Sequence, residues 1–134
     1  MQILQKLAGH TEAEASRRLA ERLKLLDADE RRLEQIRGYL ADYSGNIQNT
    51  ATTISALRSN RGFMERLRNA VNEQRGAVEI QRQQAEQHAA QWRAARARSL
   101  ALERLGERIE QREQQRRDRI EQARLDEIAN QSKT

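Results

Sequence analysis

Leucine and isoleucine recur every seven residues through the first part of the chain, at Leu19, Leu26, Leu33, Leu40, Ile47 and Ile54. Leu23, Ile36 and Tyr43 sit on neighbouring lanes and widen the same stripe. A seven-residue apolar repeat is the seam of a coiled coil, because it returns one helix face to the same partner every two turns. A second ladder runs through Met64, Val71, Val78, Ala85 and Trp92, with Leu57 and Leu67 beside it, and resumes less regularly at Leu102, Ile109 and Ile120. The pattern therefore predicts an all-α fold: two long helices forming an antiparallel coiled-coil hairpin, the second helix longer.

The break falls in "NIQNTATTIS", where Asn49, Thr50, Thr52 and Thr53 lower helix propensity and Ser55 is placed to cap the helix that follows. A competing turn, "SNRG" at 59–62, carries stronger Asn and Gly signals. Register separates them, because facing positions of an antiparallel hairpin have residue numbers with a nearly constant sum. A turn at 49–55 pairs Leu19 with Ala85, Leu26 with Val78, Leu33 with Val71, Leu40 with Met64 and Ile47 with Leu57, so every layer is apolar. A turn near 60 sets Leu33 against His88, Leu40 against Gln81 and Ile47 against Gln74, three mixed layers that cost desolvation.

The expectation is a single coiled-coil domain spanning 1–134, with helix one at about 3–48, the turn at about 49–55 and helix two at about 56–130. Met1 then lies beside residue 103, and 104–134 overhangs with a thin stripe of Leu105, Ile109, Ile120, Leu125 and Ile128.

Composition agrees with long helices: there is no proline, and 34% of the 134 residues are charged, too many for a thick core. The apolar residues are periodic and the formal net charge is only +5, which favours helix over disorder. The cations are arginine except for Lys6, Lys24 and Lys133. With no cysteine and only His10 and His88, neither a disulfide framework nor a zinc cluster is expected. Residues 1–8 lack the flank and cleavage pattern of a signal peptide, and no apolar run approaches the roughly 20 residues of a membrane span, so a soluble, cytoplasmic protein is expected.

Catalysis needs convergent groups in a pocket, which a two-helix hairpin does not offer, and the chain has neither a phosphate-binding Gly-rich loop nor a His-Glu-x-x-His motif. No enzyme activity, cofactor or metal is expected. Carboxylates at 103, 107, 110 and 113 alternate with Arg104, Arg108 and Arg112, the pattern of a charge-balanced outer face. His88 falls at a weaker seam position, and Trp92 is placed to close the open end of the hairpin over aliphatic stems. Arginine clusters such as Arg93, Arg96, Arg98 and Arg116, Arg117, Arg119 raise nucleic-acid binding as an alternative, but interleaved acids and the lack of an aromatic platform argue against it.

Leu33, Tyr39 and Tyr43 near the end of helix one, a short polar turn, "ALRSNRGFMERLRNAV", Gln91-Trp92, "LALERLGER" and the closing "EQARLDEIA" occur in an order that resembles the flagellar type III export protein FliJ family. The likeness covers nearly the whole chain; it departs in a turn without glycines and at Ala123, where the family commonly has a basic residue.

The resemblance implies a non-catalytic stalk at the cytoplasmic base of a secretion apparatus. Such a stalk binds the hexameric export ATPase FliI, promotes its assembly and activity, and links it to the export gate FlhA and to export chaperones. It also implies attachment through protein partners without membrane insertion; from the residues themselves, no nucleic-acid partner is expected. Phe63, Leu67, Ala70 and Gln74 match the family's gate-contacting stretch, with Ala77 as a neighbour. Arg104, Arg108, Arg112, Arg116 and Arg119 on the overhang are the candidates for meeting the ATPase ring. Alternatives are the stalk of a virulence-type secretion ATPase, an Arg-rich helical nucleic-acid-binding protein, and a dimeric coiled coil with ladders paired between chains.

Overall fold

Helix formers without an internal proline give two helices, α1 (Gln2–Thr50) and α2 (Ile54–Ser132), of 49 and 79 residues. The structure, a computed structural model, describes residues 1–50 and 53–133; side chains of 47–50 are outside that description. Among the described residues there is no strand, and the two helices pack against each other as an antiparallel coiled-coil hairpin with the longer helix second.

Thr53 starts α2. Its Oγ1 accepts a hydrogen bond from the Ala56 backbone N–H at 3.1 Å, and its carbonyl accepts from Leu57 N–H at 3.0 Å. That is an N-cap, so the capping role expected of Ser55 belongs to Thr53, and Ser55 lies inside the first turn. The "SNRG" segment is helical throughout. Its asparagine is held in the helix by a tertiary partner, the Tyr43 hydroxyl, which outweighs a weak local preference.

The contacts divide into two units, Ala15–Trp92 and a terminal unit of Met1–Glu14 with Arg93–Thr134. In the first, Leu33, Val71 and Val78 are buried, with Leu26, Ile36 and Leu40 packed against them. Ala85 is also buried, and Leu19 and Met64 are half-buried. Leu57, assigned to the core by the register argument, is 48% exposed. It sits in the first turn of α2. Its expected partner, Ile47, lies outside the described side chains.

The seam has two lanes, and only one is apolar. Leu19, Leu26, Leu33 and Leu40 on α1 and Met64, Val71, Val78 and Ala85 on α2 make up the first, all half-buried or buried. The second carries Arg22, Asp29, Ile36 and Tyr43 on α1, and Asn60, Leu67, Gln74, Gln81 and His88 on α2, all half-buried or buried. Gln74 Nε2 donates to the Asp29 carbonyl at 2.8 Å and to Asp29 Oδ1 at 3.2 Å, so a buried amide is satisfied across the helices. Gln81 Oε1 is sealed from solvent and accepts no hydrogen bond among the described residues. The ion pairs Arg31–Asp27 (3.0 Å), Arg37–Glu34 (3.2 Å) and Arg82–Glu30 (3.6 Å) lie at the surface and add little each.

In the terminal unit, Ala8 is buried and Gln5 Nε2 donates to the Leu102 carbonyl at 3.2 Å. Met1 was expected beside residue 103; its side chain instead reaches Gly106, nearly a turn further along. Side chains lean toward their own helix N-terminus, which in an antiparallel pair is toward higher numbers on α2. Gly106 leaves the room they need, since a Cβ there would collide with the Gln5 amide. From Glu107 to Lys133 every residue is exposed.

Candidate interaction surfaces

Tyr39 and Tyr43 stand one turn apart on α1, and Phe63 and Leu67 one turn apart on α2, so the two pairs share one flank of the Ala15–Trp92 unit. With Asp42 and Asn46 they line an open groove of about 330 Å³. Tyr43 and Phe63 meet edge to face, ring centroids 4.5 Å apart and planes at 62°. The Tyr43 hydroxyl donates to Asn60 Oδ1 at 2.8 Å, fixing that ring from behind, and the Arg66 guanidinium lies 5.9 Å from the Phe63 centroid. Tyr39 is 64% exposed and Phe63 39%, so the rings form a rigid apolar shelf that faces water.

Of the four residues matched to the gate-contacting stretch, Phe63 and Leu67 border this groove and Ala70 is half-buried beside the seam. Gln74 is buried and committed to Asp29, so it belongs to the seam more than to any outer surface. Sequence reasoning missed Asp42 and Asn46, whose spacing of three and seven residues from Tyr39 puts them on its face, and Asn60, which it read as a turn residue.

The five arginines proposed for the ring, Arg104, Arg108, Arg112, Arg116 and Arg119, are exposed on α2 and, among the described residues, carry no ion pair. The stretch around them is stiffened by local bonds such as Gln114 Nε2 to Asp118 Oδ1 at 3.0 Å and Gln122 Nε2 to Asp126 Oδ1 at 3.1 Å. His88 and Trp92 are half-buried. No group of three or more His, Asp or Glu able to hold a metal occurs among the described residues, and none of their helices is long and apolar enough to cross a membrane.

A helical hairpin with one apolar and one polar seam lane defines a coiled-coil protein. The chain belongs to the flagellar FliJ protein family, whose model matches residues 1–133. Membership makes it a flagellar export-related coiled-coil protein. No individually curated protein matches the sequence.

Proposed function

We propose that this protein is the stalk subunit of a flagellar export ATPase, binding the hexameric ATPase FliI through the exposed end of α2 and the export gate FlhA through the aromatic groove. Family membership supports the assignment, and the shelf formed by Phe63, Tyr39 and Leu67 is the observation that carries it. An edge-to-face ring pair braced by a hydrogen bond offers a large apolar anchor with little side-chain freedom to lose on binding. The arginine-bearing end of α2 suits a protein pore with acidic lining, because guanidinium forks pair with carboxylates. In this reading the subunit has no chemistry of its own, works in the cytoplasm at the base of the apparatus and also receives export chaperones.

Two arms test the assignment. Reversing Arg104, Arg108 and Arg112 to glutamate abolishes stimulation of purified FliI and leaves the helical signal unchanged; Phe63→Ala weakens binding to the cytoplasmic part of FlhA by about tenfold or more. Undiminished stimulation in the first arm or unchanged affinity in the second would refute the corresponding contact.

A further inference from the structure

The seam positions fix the phase of both helices, and that phase exposes a pattern on the flank away from the aromatic groove. In the Ala15–Trp92 unit, Arg61, Arg68, Arg75 and Arg82 all occupy the same position relative to the seam, one every seven residues. Seven residues rise about 10.5 Å, so the four guanidinium groups form a ladder along one edge. All four are exposed.

Arg82 is neutralised by Glu30 at 3.6 Å and Glu79 at 3.4 Å. Arg61, Arg68 and Arg75 carry no ion pair among the described residues. The opposing edge of α1 does little to balance them: its equivalent positions are Leu23, Glu30, Arg37 and Ser44, Glu30 is taken by Arg82, and one heptad further on the same pairing sets Arg37 across from Arg75. Glu34 offsets Arg37 at 3.2 Å, which leaves Arg75 as the cation without an ion pair at that crossing among the described residues. The same flank carries an open cleft of about 450 Å³, with Leu33 and Val78 at its base and Arg37, Arg75 and Arg82 among its rim.

We propose that this edge is a docking surface for an acidic amphipathic helix of a partner protein, laid along the hairpin as a third strand. Such a helix presents a carboxylate every two turns on one face, the repeat that the arginine ladder has. Each carboxylate then meets a guanidinium fork, and apolar residues between them cover Leu33 and Val78 at the base of the cleft and Leu23, which is 49% exposed. Nucleic acid fits less well, because the rings that would stack on bases are on the other flank; Glu30, Glu34 and Glu79 in the cleft are already matched by Arg82 and Arg37. This surface is separate from the two contacts proposed above, and its loss leaves them in place.

The test uses the full chain and a labelled synthetic alanine-rich helical peptide with glutamate at every seventh position and leucine beside it, read by fluorescence anisotropy. A peptide of the same composition in permuted order and a single-stranded oligonucleotide are the comparisons. The combined variant Arg61→Gln, Arg68→Gln, Arg75→Gln lowers affinity for the ordered peptide by about tenfold, while removing three arginines elsewhere in the unit (Arg17→Gln, Arg31→Gln, Arg66→Gln) changes it less than about threefold. Arg68→Gln alone gives about threefold. The proposal is overturned if the two combined variants lose affinity equally, if the permuted peptide binds as well, or if the oligonucleotide is the tighter, ladder-dependent ligand. Stimulation of FliI and binding to FlhA stay at the parent level in the ladder variant, which keeps this result independent of those contacts.

Discussion

Two tyrosines one turn apart serve different ends. Tyr43 is half-buried, meets Phe63 edge to face and donates its hydroxyl to Asn60; Tyr39 is 64% exposed and lies along the groove. Tyr43→Phe leaves the Asn60 side-chain oxygen without its donor and lowers stability by about 1 kcal/mol, whereas Tyr39→Phe changes it by less than about 0.5 kcal/mol. Urea unfolding followed by far-UV circular dichroism distinguishes the two, and equal effects would show that the Tyr43–Asn60 bond contributes nothing net. The spacing of the tyrosines was legible in the sequence. So was the place of Tyr43 on the seam stripe; its hydroxyl's partner was not, because Asn60 reads locally as a turn residue and reveals its role only when α1 is laid beside it.

At the scale of the helices, the apolar lane was readable because Leu, Val and Met at a period of seven have one physical use, burial against a second helix. The polar lane was not. Asp29, Gln74 and Gln81 look like surface residues one at a time, and polar layers served as a reason to reject the alternative turn. The structure resolves this by cost: Gln74 is buried but satisfied by two bonds to Asp29, so its layer is tolerated, while Gln81 keeps a sealed acceptor without a donor. Replacing each by leucine separates the cases. Gln81→Leu removes an unsatisfied buried acceptor and raises unfolding stability by about 1 kcal/mol. Gln74→Leu breaks a made network and lowers it by about 1 kcal/mol. Opposite signs in thermal and urea melts are the expected outcome; a rise in both would mean that the Asp29–Gln74 layer is retained for specificity and adds no stability.

For the molecule as a whole, charge is distributed more informatively than the net value of +5 suggests. Residues 58–98 hold nine arginines against four glutamates, while 99–134 hold seven arginines and one lysine against eight acids. The whole excess therefore lies in the first half of α2, and the end of that helix is neutral despite its many arginines. A neutral segment exerts little long-range steering, so binding there depends on which charge meets which, at close range. A chain shortened to end at Arg117 removes 118–133, all exposed and including Arg119, together with the last residue. Its unfolding free energy stays within about 0.5 kcal/mol of the parent, since no buried apolar contact is lost. Stimulation of FliI falls in the same variant if the arginine pattern continues to matter as far as Arg119. A large loss of stability would instead reveal that the end of α2 is packed against the rest of the chain in solution.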